Sequence, residues 1–380
     1  MHCVMMIYGT RPEAIKMAPL VTELRRHPSF EPVVAVTGQH REMLDQVHTS
    51  FGIVPDHDLD LMVPGSSLAS ICATALMAVS TLLETERPDV VVVQGDTSSA
   101  FSAALAAFYH RVPVVHLEAG LRTGDVYAPF PEEMNRRLTT PIAALHLAPT
   151  FISRQALERE GVDPATIAVT GNTVIDALMA TLSAPAAFED PKVACVVAAG
   201  RPILLVTSHR RESWGDKMAG AMQAVRAIAQ QRPEVDVVLP MHRNPVVRRL
   251  IEPALRDLEN VVLCEPQSYP EFVHLLDAAH LVLTDSGGVQ EEGPSLGKPV
   301  LVMRDTTERP EAVTAGTVRL VGTRPATIVE ATLRLLDDKV AYAAMANAVN
   351  PYGDGAAAGR CVAAIAQLLG VGARLPDFAP

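Results

Sequence analysis

The sequence predicts an α/β protein with two doubly wound parallel sheets, each covered by helices. The chain has 380 residues, more than the roughly 250–300 that one hydrophobic core usually supports. Short apolar runs alternate with helical segments along its length, which is typical of parallel sheets. A Pro/Ala-rich patch at residues 183–187 interrupts this alternation. We therefore expect one domain over residues 1–183 and a second over residues 184–355.

The first domain opens with an apolar strand at residues 4–8 and a helix to about residue 26. Pro12 at an early helical position and Glu13 near the N-terminus suit that helix. Further strands are predicted at residues 33–36, 90–93, 112–116 and 144–148, and in the second domain at 203–206, 235–239, 261–263, 281–283 and 300–303. A final helix, beginning at about residue 356, is expected to pack back on the first domain.

The composition narrows the classes of function. A formal net charge of -11 and a pI near 5.6 argue against a nucleic-acid or anionic-membrane surface. The five cysteines are scattered and form no CxxC pair, so we expect free thiols, no disulfide framework and no metal site. We find no signal segment and no apolar run long enough to span a bilayer, so a cytoplasmic location is expected.

The segment from Thr284 to Pro299 carries the strongest local signal. Ser286, Gly287 and Gly288 stand where a strand turns into a helix, an arrangement that lets backbone N–H groups approach an anion. The spacing resembles a P-loop, but Pro294 stands where that motif requires lysine, which excludes an ATPase site. A carboxylate one turn later, Glu292, suits a ribose diol. A purely structural glycine-rich turn is the alternative for this segment alone.

Two cations follow the first strand, where open α/β sheets bind ligands. Arg11 and Lys16 are either solvated helix charges or contacts to an anion, and their position favours the anion. A polar turn at residues 38–42 follows the second strand and is either a ligand loop or a helix start.

Carboxylates also lie after two predicted strands and at the start of one predicted helix of the first domain. Asp96 and Glu118 come after strands, and Glu132 and Glu133 begin a helix. A capping role is the alternative for Asp96, and a helix-dipole role for the glutamate pair. Crowded carboxylates acquire separated pKa values, so acid–base catalysis is the functional interpretation.

The second domain repeats the pattern of polar residues after strands. His209 and His242 follow two of its strands, and Arg309 follows another. Each histidine alone is more often structural, but two at the edge that carries Ser286 suit a diphosphate.

These motifs together resemble the non-hydrolysing UDP-N-acetylglucosamine 2-epimerase family over nearly the whole chain. The carrying segments are 9–13, 37–41, 94–97, 116–123, 131–133, 209–212, 284–292 and 307–311. The resemblance implies a GT-B-like fold with two Rossmann-like domains, a UDP-sugar site in the cleft between them, and a homodimer. It implies reversible conversion of UDP-GlcNAc to UDP-ManNAc through loss of UDP, a 2-acetamidoglucal intermediate and re-addition of UDP, without a cofactor.

The resemblance also implies roles for individual residues. Asp96, Glu118 and Glu132 match the acid–base carboxylates, and His209 is a further catalytic candidate. The residues that match the diphosphate contacts are Arg11, His209, Ser286, Gly287 and Gly288. Glu292 matches the ribose contact, and Phe272 is placed by the uracil. The cleft is expected to be lined by Lys16, His242 and Arg309. Which carboxylate removes the C2 proton stays open.

One departure from the family pattern concerns a second, activating UDP-GlcNAc. Gln39 is present, but Glu42 replaces the second glutamine of the pattern and Gly65 stands at an arginine position. An added acid and a missing guanidinium disfavour an anionic activator, so we expect weak or no activation.

Four alternatives remain at this point. They are a hydrolysing 2-epimerase that releases ManNAc and UDP, a 2-epimerase for a modified UDP-sugar, a GT-B glycosyltransferase and a non-catalytic UDP-sugar-binding protein. The three carboxylates favour an epimerase over the last two.

Overall fold

The computed structural model describes residues 1–38, 41–63, 65–210 and 213–380, with the side chains of residues 41–43 left out. The chain forms two compact units. The first contains Met1–Met179 and Tyr352–Pro380, and the second is Ala180–Pro351.

Within the described residues, the first unit holds a seven-stranded sheet in the order β3-β2-β1-β4-β5-β6-β7. Its strands are β1 (His2–Tyr8), β2 (Phe30–Val36), β3 (His57–Asp58), β4 (Val90–Gln94), β5 (Val114–Leu117), β6 (Leu145–Ala148) and β7 (Ile167–Val169). All neighbouring strands run parallel. The strand order reverses between β1 and β4, and ligands bind at such a switch point in open α/β sheets.

Helices connect the strands of the first unit. They are α1 (Arg11–Arg26), α2 (Arg41–Phe51), α3 (Leu68–Glu86), α4 (Ser98–Tyr109), α5 (Glu132–Thr139), α6 (Phe151–Arg159) and α7 (Thr173–Leu182). The last helix of the chain, α16 (Ala357–Leu368), belongs to the same unit and packs on α1 and β6. Beyond α16, the Phe378 N–H donates to the Val169 carbonyl at 2.8 Å.

The described part of the second unit holds a six-stranded parallel sheet in the order β10-β9-β8-β11-β12-β13. Its strands are β8 (Ile203–Thr207), β9 (Asp236–Pro240), β10 (Val261–Cys264), β11 (Leu281–Thr284), β12 (Val300–Val302) and β13 (Val318–Leu320). Its helices are α8 (Pro191–Ala199), α9 (Asp216–Gln231), α10 (Pro245–Leu255), α11 (Tyr269–Ala278), α12 (Val289–Ser295), α13 (Pro310–Ala315), α14 (Pro325–Asp337) and α15 (Lys339–Ala346).

The strand sequences explain the burial of both sheets. β4 reads Val-Val-Val-Val-Gln and is buried at every position, because a parallel sheet is covered on both faces. The predicted α/β class is therefore confirmed. The sequence analysis missed β3, β7 and β13, which are two or three residues long and too short for a periodic signal.

One helix departs from the sequence-based expectation. Among the described residues, α3 alone is long and apolar enough to cross a membrane by length and composition, although we expected no such segment. Only 22% of its apolar window is buried. It packs against α4.

Candidate active site

The polar residues of the first unit gather at the carboxyl ends of three adjacent strands. Thr10 and Arg11 follow β1, Asp96 follows β4 and Glu118 follows β5. Since β1, β4 and β5 are neighbours in the sheet, their loops share one edge beside the switch point.

Glu118, in the loop after β5, is buried and only 6% exposed. Its Oε1 accepts hydrogen bonds from Lys16 Nζ and, at 3.0 Å, from Asn172 Nδ2. Its Oε2 accepts one from Gln94 Nε2. The backbone of Glu118 has a φ of 64°, in the left-handed region that costs a non-glycine residue energy. Lys16, predicted to contact an anion, forms a buried ion pair with this carboxylate.

Asp96 is more open than Glu118. Its Oδ2 accepts a hydrogen bond from Arg136 Nη1 at 2.5 Å, and 27% of its side chain is exposed. Burial raises the pKa of the Asp96 carboxyl, and the nearby Glu118 also raises it, whereas Arg136 and Lys16 lower it. The two carboxylates therefore occupy different electrostatic environments.

The acidic pair at the start of α5 splits into two environments. Glu132 is half-buried, whereas Glu133 is 0% exposed. Glu133 accepts the Thr123 N–H at 3.0 Å and hydrogen bonds from Arg136 at 2.9 Å and Arg137 at 3.1 Å. Burial would raise the pKa of Glu133, but the Thr123 and Arg136 hydrogen bonds hold it below its usual value. Glu133 is thus a structural anchor.

Glu13 connects the loops that carry Arg11 and Asp96. Its Oε2 accepts the N–H groups of Gly9 and Thr10 at 3.0 and 2.7 Å, and its Oε1 accepts the Thr97 hydroxyl at 2.7 Å. Burial raises the pKa of Glu13, although these hydrogen bonds act to lower it. We predicted Glu13 only as a helix-dipole partner, yet it ties the loop after β1 to the loop after β4. Arg11, half-buried, is the first residue of α1.

Asp285 organises the site of the second unit. This buried carboxylate follows β11 and accepts the backbone N–H groups of His209, at 2.9 Å, and Arg210, at 3.1 Å. It also accepts the Ser208 hydroxyl at 3.1 Å, and His209 Nδ1 lies 3.3 Å from it. The loop after β8 is therefore shaped by a carboxylate from the neighbouring strand.

Gly287, predicted to let backbone N–H groups approach an anion, also lies close to two arginine side chains. A Cβ at this position would lie 2.8 Å from Arg309 Nη1 and 3.0 Å from Arg210 Nη2. Its missing side chain makes room for two guanidinium groups beside the backbone. Arg309 Nε donates to Glu291 Oε1, and both arginines lie 3.7 Å from Glu308. The result is a compact cluster in which two guanidinium groups pair with two carboxylates.

Glu292 and Phe272 come from adjoining helices of the same unit. Glu292, 6% exposed, accepts a hydrogen bond from the Tyr269 hydroxyl at 3.1 Å. Tyr269 and the half-buried Phe272 lie on α11. Gly288 immediately precedes α12, and its Cβ position would be 3.6 Å from Glu292 Oε2.

His209 and His242 lie together at the surface of this unit. The rings of His209 and His242 stack with centroids 6.3 Å apart and planes 15° apart. His242 Nδ1 accepts the Asn244 N–H at 3.1 Å. Ser286 is half-buried, and its N–H donates to the Thr284 hydroxyl at 2.9 Å.

The residues of the expected activator site are only partly described. Gln39 and the Glu42 side chain lie outside the described residues. Gly65 has a φ of 83°, and a Cβ there would meet nothing within 4 Å.

The described residues contain no group of three His, Cys, Asp or Glu that could hold a metal ion. All five cysteines are free. Burial raises the pKa of Cys264 and Cys361 to about 12, which makes both thiols unreactive.

Sequence reasoning missed the residues that hold the predicted site residues in place. They are Gln94, Asn172, Arg136, Asp285, Arg210 and Tyr269. Gln94 and Asp285 carried a usable signal, since each is polar at the end of an apolar strand. Arg210 directly follows the predicted His209, whereas Asn172 and Arg136 are distant in sequence from the carboxylates they contact.

A family model described as UDP-N-acetylglucosamine 2-epimerase matches residues 22–366. The UDP-N-acetylglucosamine 2-epimerase of Escherichia coli strain K12 is 52% identical over 369 residues, covering 95% of this chain and 98% of that protein. The same enzyme of Salmonella typhimurium is 53% identical over 371 residues, with 95% and 98% covered.

Solved structures of similar proteins match along the whole chain. The Staphylococcus aureus MnaA–UDP structure has a TM-score of 0.93 and 42% identity, with 100% of each chain covered. The UDP-GlcNAc 2-epimerase of Neisseria meningitidis bound to UDP-GlcNAc has a TM-score of 0.88 and 45% identity, covering 96% of this chain and 100% of that one. These neighbours confirm the predicted GT-B-like class of fold.

Proposed function

Because this chain belongs to the UDP-N-acetylglucosamine 2-epimerase family, we propose that it interconverts UDP-GlcNAc and UDP-ManNAc without net hydrolysis. The observation that carries the proposal is the set of carboxylates in the first unit. Asp96 and Glu118 follow adjacent strands in contrasting environments, one partly open and one held by three donors. Epimerisation at C2 needs one group to remove a proton and another to return it, and two carboxylates in different environments suit those two roles.

The second unit supplies what a departing UDP needs. The charge that develops on the leaving diphosphate requires fixed cations and donors. Arg210 and Arg309 beside Gly287, together with His209 and Ser286, provide them. Glu292 has the acceptor oxygens for a ribose diol. We assign the uracil to the neighbourhood of Phe272.

The reaction balances without a cofactor. A carboxylate takes the C2 proton, the C1–O bond breaks towards UDP, and a C1–C2 double bond forms in the 2-acetamidoglucal. A second group then returns a proton to the opposite face of C2 while a UDP oxygen bonds to C1. Asp96, Glu118 and Glu132 are the candidates for the two proton transfers.

Proton NMR of UDP-GlcNAc with the protein in D₂O tests this function. We expect UDP-ManNAc with deuterium at C2 and no stoichiometric free UDP. Accumulation of ManNAc and UDP would instead establish the hydrolysing reaction, which no observation favours. An unchanged spectrum would contradict the proposed substrate and direct the assay to modified UDP-HexNAc sugars. Asp96→Asn should abolish the exchange of deuterium into C2.

We further propose that UDP-GlcNAc activates this enzyme weakly or not at all. The support comes from the sequence, where Glu42 and Gly65 remove a favourable amide and a guanidinium from the activator pattern. UDP-ManNAc supplied alone should turn over from the first seconds, followed by NMR or a coupled assay. A lag that only added UDP-GlcNAc removes would contradict this.

A homodimer is the proposed assembly. Helices α3 and α4 pack together, and both leave large apolar side chains exposed, including Met77 at 68% and Phe108 at 56%. Apolar surface of this kind favours a second copy of the chain. Met77→Asp should halve the mass measured by light scattering, whereas Val340→Asp, at an exposed position of the second unit, should not. An unchanged dimer in Met77→Asp would exclude this face.

The proposed location is the cytoplasm, where nucleotide sugars are available as substrates. The net charge of -11 supports a surface without nucleic-acid or anionic-lipid partners.

A further inference from the structure

Asp96 is held by the helix that also carries Glu132. The Asn135 Nδ2 group of α5 donates to the Asp96 backbone carbonyl at 2.9 Å. On the other side, Thr97 caps α4 by accepting the Ala100 N–H at 3.0 Å and donates to Glu13 at 2.7 Å. The backbone around Asp96 is therefore fixed from two sides. Rotation of the Asp96 side chain is the freedom that remains.

Arg136 removes that freedom through a single oxygen. Its Nη1 donates to Asp96 Oδ2 at 2.5 Å. Among the described residues, none donates a hydrogen bond to the other oxygen, Oδ1. The Asp96 side chain is 27% exposed. Its Oδ2 is thus bound by Arg136, and its Oδ1 is available to accept a proton. Glu118, by contrast, has hydrogen bonds on both of its oxygens.

Arg136 is itself held rigidly. It is 3% exposed, and its Nη2 donates to Glu133 Oε2 at 2.9 Å. The Glu133 carboxylate is fixed in turn by the Thr123 N–H and by Arg137. A guanidinium can bridge two carboxylates in this way because its donors lie in one plane, and an ammonium group cannot reproduce that geometry.

We propose that Arg136 is a positioning residue of the epimerase reaction, which orients the Asp96 carboxylate for proton transfer at C2. The inference rests on the proposed function. Burial and buried ion pairing alone would give Arg136 a structural role. The bond to just one oxygen of a partly exposed acid–base carboxylate is what points to positioning.

The ion pair with Arg136 also affects the protonation of Asp96. The charged groups that face Asp96 are Arg136 from α5, Lys16 from α1 and Glu118 from the loop after β5. Both cations stabilise the ionised form, and Glu118 opposes it. Loss of the Arg136 charge should therefore raise the pKa of Asp96, and the limb of the pH–rate profile that Asp96 governs should move to higher pH.

Arg136→Gln, Arg136→Lys and the control Arg137→Gln test this. Arg137 lies on the same helix and also contacts Glu133, but it makes no bond to Asp96. We expect Arg136→Gln to lower kcat about 100-fold while KM changes less than about threefold, as for a misplaced acid–base group. Arg136→Lys should recover part of kcat and keep the limb near its wild-type pH. Arg137→Gln should behave like the wild type.

A second readout is independent of activity. Carbon-13 NMR of aspartate-labelled protein, with the Asp96 signal assigned by Asp96→Asn, should show a higher pKa for Asp96 in Arg136→Gln. An unchanged pKa with an unchanged pH–rate profile would overturn the inference. Equal losses of kcat in Arg136→Gln and Arg137→Gln would also overturn it. If Arg136→Gln does not fold, as judged by the lack of a cooperative unfolding transition, the test rests on Arg136→Lys. A wild-type kcat and a wild-type Asp96 carbon-13 signal in Arg136→Lys would exclude a positioning role for Arg136.

The two proposals fail in different ways. A wild-type protein that produces no deuterated UDP-ManNAc contradicts the proposed function. The carbon-13 titration would still show whether Arg136 controls Asp96.

Discussion

Asparagine in place of Asp285 removes a negative charge from the centre of the second unit's site without changing the size of the side chain. Asp285 accepts the Ser208 hydroxyl and the backbone N–H groups of His209 and Arg210, at 2.9 to 3.1 Å. An amide has one acceptor oxygen where the carboxylate has two. The loop after β8 should therefore loosen just where His209 and Arg210 begin.

The size of the effect follows from these three donors. A hydrogen bond to a charged acceptor contributes about 1.5–3 kcal/mol, compared with about 1 kcal/mol for a neutral one. Loss of the charge thus costs about 3 kcal/mol over three bonds. We expect about half of this free energy to be lost from UDP binding, because His209 and Arg210 are no longer held in position. UDP affinity then falls about tenfold, since 1.4 kcal/mol corresponds to a factor of ten.

Isothermal titration calorimetry with UDP measures the affinity, and thermal unfolding measures the stability. We expect Asp285→Asn to raise the Kd for UDP about tenfold and to lower the Tm by about 5 °C. The control is Asp257→Asn in the same unit, because Asp257 forms only an exposed ion pair with Arg226. A lower Tm with unchanged UDP affinity would refute the reasoning and leave Asp285 a structural role.

Three further substitutions test other parts of the site. Gly287→Ala should raise the Kd for UDP about tenfold, because the new Cβ displaces two guanidinium groups. Gly120→Ala should lower the free energy of unfolding by at least about 3 kcal/mol in a denaturant titration, since its Cβ would lie 2.3 Å from the Ser153 carbonyl oxygen. The control Gly124→Ala also has a positive φ but meets no atom within 4 Å, so it should lower the free energy by about 1 kcal/mol. Equal losses of unfolding free energy in Gly120→Ala and Gly124→Ala would contradict a clash at residue 120. Glu308→Gln should destabilise the protein at pH 7 by up to about 3 kcal/mol.

The pH dependence of Glu308→Gln has a definite sign. Burial would raise the pKa of Glu308, but hydrogen bonds and charge from Arg304, with Arg309 and Arg210 nearby, lower it from 4.5 to about 2. A lowered folded-state pKa stabilises the protein above the unfolded value and loses that effect as the pH falls through the folded value. The stability difference from the wild type should therefore shrink below about pH 4.5. A difference that stays constant with pH would contradict this origin.

The sequence was sufficient to predict the class of fold and to place the candidate residues at the carboxyl ends of strands. Long apolar runs such as β4 and the polar residues directly after them are local signals, and parallel strands bring their carboxyl ends together. The edge strand β3, with two residues, has no such signal.

The partners of the site residues could not be predicted in the same way. Asn172 is 54 positions from Glu118, and Arg136 is 40 positions from Asp96. Only the folded chain brings them together. At Gly287 nothing in the sequence indicated the adjacent arginines, because Arg210 and Arg309 come from two other loops.

The first unit is assembled from both ends of the chain, and this has a consequence for synthesis on the ribosome. The second unit is one continuous segment, Ala180–Pro351, and its residues are all translated before Tyr352. The first unit still lacks α16 at that moment, together with the Phe378 bond to β7. Nascent chains should therefore complete the second unit, for which we propose UDP binding, before the first. A tag or deletion at the C-terminus should accordingly disturb proton transfer before it disturbs UDP binding.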